Sequence, residues 1–175
     1  MLILSTERLH LREFDEGDAG FIHALLTDPA WIANIGDRGI RSEEDARSYI
    51  RERLVENYRR LGFGFWAMAR RDDGELVGMC GLTQRDNLPA PDIGYALLPA
   101  YRGFGYAREA AAACLQHARE ALGMRCVLAT TAPGNAASAK VLTSIGLQPE
   151  GRVHSEQFGE SCLFGWRADG DRTAG

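Results

Sequence analysis

The run Leu97-Leu98-Pro99-Ala100-Tyr101-Arg102-Gly103-Phe104-Gly105-Tyr106-Ala107 joins an apolar segment, closed by Pro99, to a segment of helical periodicity. A helix N-terminus leaves main-chain N–H groups unpaired and carries partial positive charge, so a glycine-bearing turn leading into one suits phosphate oxygens. Glycine at 103 and 105 lets the backbone approach an anion with no Cβ in the way, and Arg102 adds a full charge. An ordinary strand-to-helix turn needs the same small residues. Two rival phosphate motifs fail on spacing. The dinucleotide fingerprint requires Gly or Ala where Arg108 stands, and Lys140, the sole lysine, is followed by Val141 instead of the Ser or Thr of a P-loop. Gly62-x-Gly64-x-x-Ala67 fits the looser dinucleotide pattern but follows a helix and opens a strand. No G-x-S-x-G elbow is present.

A second polar cluster lies further along. Asn135, after Pro133-Gly134, suits the cap of a short helix, and Ser138 falls one turn later on the same face. Asp92 follows Pro91 at the start of the apolar run Ile93 to Leu98, where a surface aspartate is one of two readings, the other being a functional carboxylate. Cys80, Cys114, Cys126 and Cys162 stand singly and read as reduced, buried thiols; the four histidines are equally scattered, so no metal site is expected. Twenty basic against 24 acidic residues give a net charge of −4, which offers no global attraction to nucleic acid or an anionic membrane and only slightly favours a cationic substrate. The first residues lack a secretory apolar core and no stretch is long enough to span a membrane, so the cytoplasm is the expected location.

The elements that must position these residues follow from periodicity. Leu9 and Leu11 alternate with polar neighbours as in a half-buried strand; Asp15 can cap a helix carrying Phe21, Ile22, Leu25 and Leu26, which Asp28-Pro29 ends. Pro29 to Arg41 reads as a loop. Ser42 and Asp45 resemble a capping box, and apolar positions from Ala46 to Leu61 predict an amphipathic helix ending at Gly62. A hairpin turning at Asp73-Gly74 joins Phe63–Ala69 to Leu76–Leu82. A strand at Ile93 to Leu98, a helix from Ala107 to Leu122, a strand at Cys126 to Thr131 and a short helix ending at Gly146 follow in alternation, which suggests local parallel pairing. A final hairpin around Gly159-Glu160 joins Leu147–Phe158 to Ser161–Arg167, and 168–175 reads as a frayed tail of a single domain spanning 1–175.

These residues also carry a family resemblance. Arg102-Gly103-Phe104-Gly105-Tyr106-Ala107 resembles the R/Q-x-x-G-x-G/A motif of the GCN5-related N-acetyltransferase (GNAT) superfamily. Ile93-Gly94-Tyr95, Glu109-Ala110, Asn135-x-x-Ser138 and Ile145-Gly146-Leu147 extend the likeness, and Thr6-Glu7-Arg8-Leu9-x-Leu11-Arg12 resembles the ribosomal-protein N-terminal acetyltransferase (RimJ/RimL-like) branch.

The resemblance implies an α/β (mixed α+β) GNAT-like fold, a central splayed mixed sheet of about seven strands flanked by about four helices. Acetyl-CoA would lie in the splay as co-substrate, without a metal. The main chain of Leu97 and Leu98 would pair with the pantetheine amides, while Arg102, Gly103, Phe104, Gly105, Tyr106 and Ala107 would hold the pyrophosphate. The implied reaction is direct attack of a primary amine, from a protein N-terminus or a small molecule, on the thioester. The Leu97 amide would face the oxyanion, Asn135 would position the amine or a water, and Ser138 would bond or protonate the CoA sulfur. Many relatives carry a tyrosine seven residues after this asparagine, where this chain has Leu142. Asp92 stands where relatives often place a glutamate base, with Glu160 a weaker alternative. Trp31, Tyr49 and Phe158 would wall the acceptor. A catalytically silent acyl-CoA sensor is the alternative implied by Leu142; the protein would be a monomer or homodimer, with neither nucleic acid nor membrane as partner.

Overall fold

The computed structural model describes residues 1–156 and 158–171. Eight strands form one sheet in the order β1-β2-β3-β4-β5-β6-β8-β7. They are β1 (Leu2–Ser5), β2 (Leu9–Arg12), β3 (Phe65–Arg70), β4 (Leu76–Thr83), β5 (Asp92–Leu97), β6 (Cys126–Thr131), β7 (Gln148–Ser155) and β8 (Gly159–Arg167). Every neighbouring pair is antiparallel except β5 and β6, the two strands joined through a crossover helix. Strand β1 was not foreseen: its Ile3 and Leu4 are only half-buried and its four residues are too few to show a period.

Helices cover both faces, which is why β3 and β4 read as nearly unbroken apolar runs. On one face lies α5 (Tyr106–Glu120), whose Ala110, Ala111, Cys114 and Ala118 pack with Leu142 of α6 (Ala136–Ser144) over Trp66, Leu82, Ile93 and Val127. On the other, Ile22, Leu25 and Leu26 of α1 (Ala19–Leu26) join Ala46 of α3 (Glu43–Tyr49) over Ala67 and Met79. Asp15 heads a short 3-10 turn, Glu16–Asp18, that runs into α1, and the buried Asp18 carboxylate takes both Arg12 guanidinium N–H groups at 2.9 and 2.8 Å, tying α1 to β2.

Five expectations are corrected. Pro29 to Arg41 is not all loop: Pro29–Asn34 forms α2, because Asp28 Oδ2 accepts the Trp31 N–H at 3.3 Å and Pro29 sits in the first turn. The helix expected from Ser42 to Gly62 exists as α3, a π-helical stretch Ile50–Val55 and α4 (Glu56–Leu61); Ser42 Oγ accepts the Asp45 N–H, while the Asp45 carboxylate takes the Arg41 N–H instead of closing the box. Gly159 and Glu160 begin β8, so the hairpin turns earlier, where Ser155 Oγ accepts the Phe158 N–H. Ala168 to Asp171, expected to fray, is held by the Ala168 N–H on the Arg125 carbonyl and an Arg125–Asp171 ion pair; 172–175 lie outside the described residues. All four cysteines are free, but Cys126 and Cys162 are half-buried, unlike Cys80 and Cys114.

At Gly81 of β4 an added Cβ would meet the Gly64 carbonyl oxygen at 2.0 Å and the Phe65 Cα at 2.7 Å. Both obstacles are backbone, so they cannot swing away. Gly81→Ala is therefore expected to cost about 2–3 kcal/mol, read as a lower urea midpoint at unchanged slope.

Candidate active site

Strands β5 and β6 pair through a single register position, Asp92 with Leu128, and then part. Beyond it lies a cavity of about 500 Å³ walled by both strands, by α6 and by the α1–α2 side of the sheet. The edge of β5 facing this opening can be read from its bonding. The Leu98 N–H donates to the Val77 carbonyl at 2.9 Å, so strand alternation turns the N–H and C=O of Leu97 to the opposite edge. Consistent with this, the Leu97 carbonyl accepts from Arg102 at 3.1 Å. Leu98 does not share in that free edge: its N–H is used by Val77 and its carbonyl by the Tyr101 N–H. The expected main-chain pairing is thus corrected to Leu97, because both polar groups of Leu98 are already bonded.

The glycine turn comes next. Gly103 and Gly105 have φ of +85° and +82°, a backbone region that disfavours other residues, and an added Cβ at 103 would meet nothing within 4 Å. The first α5 bond of this end runs from the Glu109 N–H to the Gly105 carbonyl, leaving the N–H groups of Tyr106, Ala107 and Arg108 without helical partners. Such an arrangement fits an anion. The Phe104 ring is exposed, with its centre 6.1 Å from that of Tyr106.

The turn is fixed by residues from the other end of the chain, a role that the sequence hid. Glu109 Oε1 accepts from Thr6 Oγ1 at 2.7 Å and from the Arg8 N–H at 2.8 Å, while Oε2 accepts the Arg8 Nε–H at 2.7 Å. Arg8 also donates to the Phe104 carbonyl and lies 4.5 Å from the Tyr106 ring centre. Burial pushes the Glu109 carboxyl up, but the Thr6 and Arg8 hydrogen bonds outweigh it and hold the group below its ordinary value. Arg102, in contrast, directs its Nη2 to Asp28 at 2.8 Å and to the Leu97 carbonyl, so it ties the end of β5 to the cap of α2.

On the far wall, Asn135 caps α6, its Oδ1 accepting the Ser138 N–H at 3.2 Å, which leaves its side-chain amide for the cavity it lines. Ser138 Oγ is 2.8 Å from the Tyr95 hydroxyl, which also donates to the Ser138 carbonyl at 3.1 Å. Tyr95 therefore bridges β5 to α6 across the opening. Burial pushes its phenol up to about 12, against the Ser138 hydrogen bond, so it keeps its proton through the physiological range. Only its place in the Ile93-Gly94-Tyr95 run hinted at such a role. Leu142, the position where relatives carry a tyrosine, is 1% exposed and belongs to the core as well as to the cavity wall.

Asp92 is not a surface residue. It is 1% exposed, and burial pushes its carboxyl up to about 6 although Arg85, whose Nε is 3.2 Å from Oδ2, pulls the other way. Its Oδ1 has no hydrogen-bond partner among the described residues. Arg85, not Asp92, reaches the cavity wall. Trp31 and Tyr49 line the cavity; Phe158 does not, and lies on a separate hollow with Ile32–Asp37. Glu160 is exposed and paired with Arg152 at 2.9 Å, away from both.

Comparison with known proteins agrees with this geometry. The family described as "Acetyltransferase (GNAT) domain" matches residues 8–148. The N-acetyltransferase YoaA of Bacillus subtilis is 31% identical over 159 residues, covering 89% of this chain and 88% of its own. Among solved structures, the RimL ribosomal L7/L12 α-N-protein acetyltransferase with coenzyme A superposes with a TM-score of 0.82 at 19% identity, covering 98% of this chain and all of its own. The ribosomal-protein-S5-alanine acetyltransferase of Vibrio fischeri gives 0.80 at 19% identity, with 97% and 98% covered. A sheet that opens beside a glycine turn, matched over most of its length by the family model, places this chain in the GNAT acetyltransferase family.

Proposed function

We propose that the protein moves the acetyl group of acetyl-CoA to a primary amine, from a protein N-terminus or a small molecule, by direct attack in a ternary complex. The supporting observation is that the free N–H of Leu97 and Ser138 border one opening in the sheet, which reaches the unpaired N–H groups at the head of α5 through Ala107. An extended pantetheine suits the first, a sulfur the second and a pyrophosphate the third. The start Thr6 to Arg12 and the likeness to RimL in fold support placing the chain near the ribosomal-protein acetyltransferases.

The residues divide the chemistry as follows. The Leu97 N–H donates to the carbonyl oxygen of the acetyl group as negative charge gathers on it. Asp92, its carboxyl lifted to about 6, takes the proton lost by the attacking nitrogen through water, and Asn135 orients that nitrogen with its free amide. As the new C–N bond forms and the C–S bond breaks, the Ser138 hydroxyl donates a hydrogen bond to the departing thiolate, which then takes its proton from water. Tyr95 positions Ser138, a support that the core leucine at 142 does not offer. Productive turnover, measured as free thiol released with an amine, separates this enzyme from a silent acyl-CoA sensor.

Calorimetry with acetyl-CoA is expected to show binding that Gly105→Val abolishes, because any side chain there is strained at φ +82° and a β-branched one most of all. Ser138→Ala and Tyr95→Phe are expected to keep that binding while lowering kcat by about 100-fold and about 10-fold respectively. Normal kcat in Ser138→Ala removes it from the reaction. The kcat/KM profile is expected to rise with pH through about 6 as Asp92 ionises, and Asp92→Asn to lose that limb along with about 100-fold in rate. A limb that persists in Asp92→Asn assigns the proton to another group.

A further inference from the structure

The cavity carries one more cation in its lining than the described residues balance. Arg38, Arg85 and Arg102 line it, facing Asp28 as the lining carboxylate. Arg102 is paired with Asp28 at 2.8 Å and Arg85 with the buried Asp92 at 3.2 Å. Arg38 has no acidic partner among the described residues; its neighbour Asp37 is taken by Arg41 at 2.7 Å. Among the described residues the buried Arg38 Nε–H has no hydrogen-bond partner, and neither has the indole N–H of Trp31, a cavity-lining side chain only 7% exposed. Two unpaired buried donors in side chains of one cavity wall are unusual, since such groups are nearly always satisfied by protein, water or ligand. Arg38 is also held in place from behind, with its guanidinium 5.9 Å from the Phe158 ring, which gives that residue a supporting part from outside the cavity.

Taking the acetyl-transfer reading above as its basis, we infer that the acceptor is a small aminocarboxylate, its carboxylate held by Arg38 and Trp31 and its amine turned toward the Leu97 edge. A planar guanidinium and an indole N–H are both donors without acceptor capacity, which suits a carboxylate and repels an ammonium group. A polyamine or aminoglycoside would find Asp28 as the lining carboxylate, already bonded to Arg102. About 500 Å³ must hold the thioester end and the acceptor together, which limits the acceptor to roughly the size of an amino acid. Leu25, Ile35, Tyr49, Phe65 and Met79 give it an apolar wall, so an apolar side chain is favoured. This reverses the slight preference for a cationic acceptor that net charge suggested, because the local balance at the site is opposite in sign to that of the whole chain.

The test is thiol release from acetyl-CoA across the L-amino acids, each paired with the amine left by removing its carboxylate, and across short peptide amides with an acidic second residue. At least one apolar amino acid is expected to exceed its decarboxylated partner by about 50-fold in kcat/KM, the size of a lost charged hydrogen bond. Arg38→Gln and Arg38→Ala are each expected to erase that preference mainly through KM, with the acetyl-CoA Kd unchanged. The inference is overturned if the decarboxylated amines or the peptide amides are preferred, if no amino acid is acetylated, or if both Arg38 variants keep the preference. Absence of acetyl-CoA binding in the wild-type protein would instead strike the acetyl-transfer reading itself.

Discussion

Strands β5 and β6 agree on one residue pair and then separate, and the rest of the site depends on that parting. A sheet that stays closed satisfies its main-chain groups within itself and has no room for a ligand. Here Leu97 is left with an N–H that no neighbouring strand pairs, its carbonyl being taken by Arg102, with the Leu98 to Val77 bond on one side and α6 on the other. An unpaired main-chain edge costs free energy unless something extended completes it. Tyr95 limits how far the opening can widen, since its hydroxyl grips Ser138 across the gap.

Around this opening the chain uses arginine in three distinct ways. Arg8 is structural to the glycine turn, joining β2 to the head of α5 through Glu109 and the Phe104 carbonyl. Arg102 spans from β5 to the cap of α2 through Asp28, so the two walls of the cavity are tied at its rim. Arg38 ties nothing. The contrast between two guanidiniums bonded to a carboxylate and a carbonyl and one left with a buried, unpaired Nε–H among the described residues is what distinguishes a scaffold charge from one available to a ligand.

Much of this could be read from the residues in order, and the exceptions share physical causes. The helix from Tyr106 to Glu120 was plain because its alanine and leucine positions recur on one face, and the glycine turn was plain because two glycines precede an unsatisfied helix end. Strand β1 was hidden by its length, and α2 by the glycine and mixed residues that follow it, although the Asp28-Pro29 pair that caps it also looked like a helix stop. The burial of Asp92 could not be seen because it comes from β4 and β6 closing over the start of β5, a contact between segments distant in sequence. The same holds for Thr6 and Arg8 on Glu109, and for Tyr95 on Ser138: each residue was visible, but its partner lay more than forty positions away.

The central claim is that the β5–β6 opening and the adjoining glycine turn together form the acyl-CoA site. Amide hydrogen exchange with and without acetyl-CoA addresses it directly, because the claim names the main-chain groups involved. Protection is expected at the Leu97 N–H and at Tyr106, Ala107 and Arg108, with little change along β1, β2 and β3. Binding that protects other segments, while leaving Leu97 and the head of α5 exchanging as before, would contradict the account.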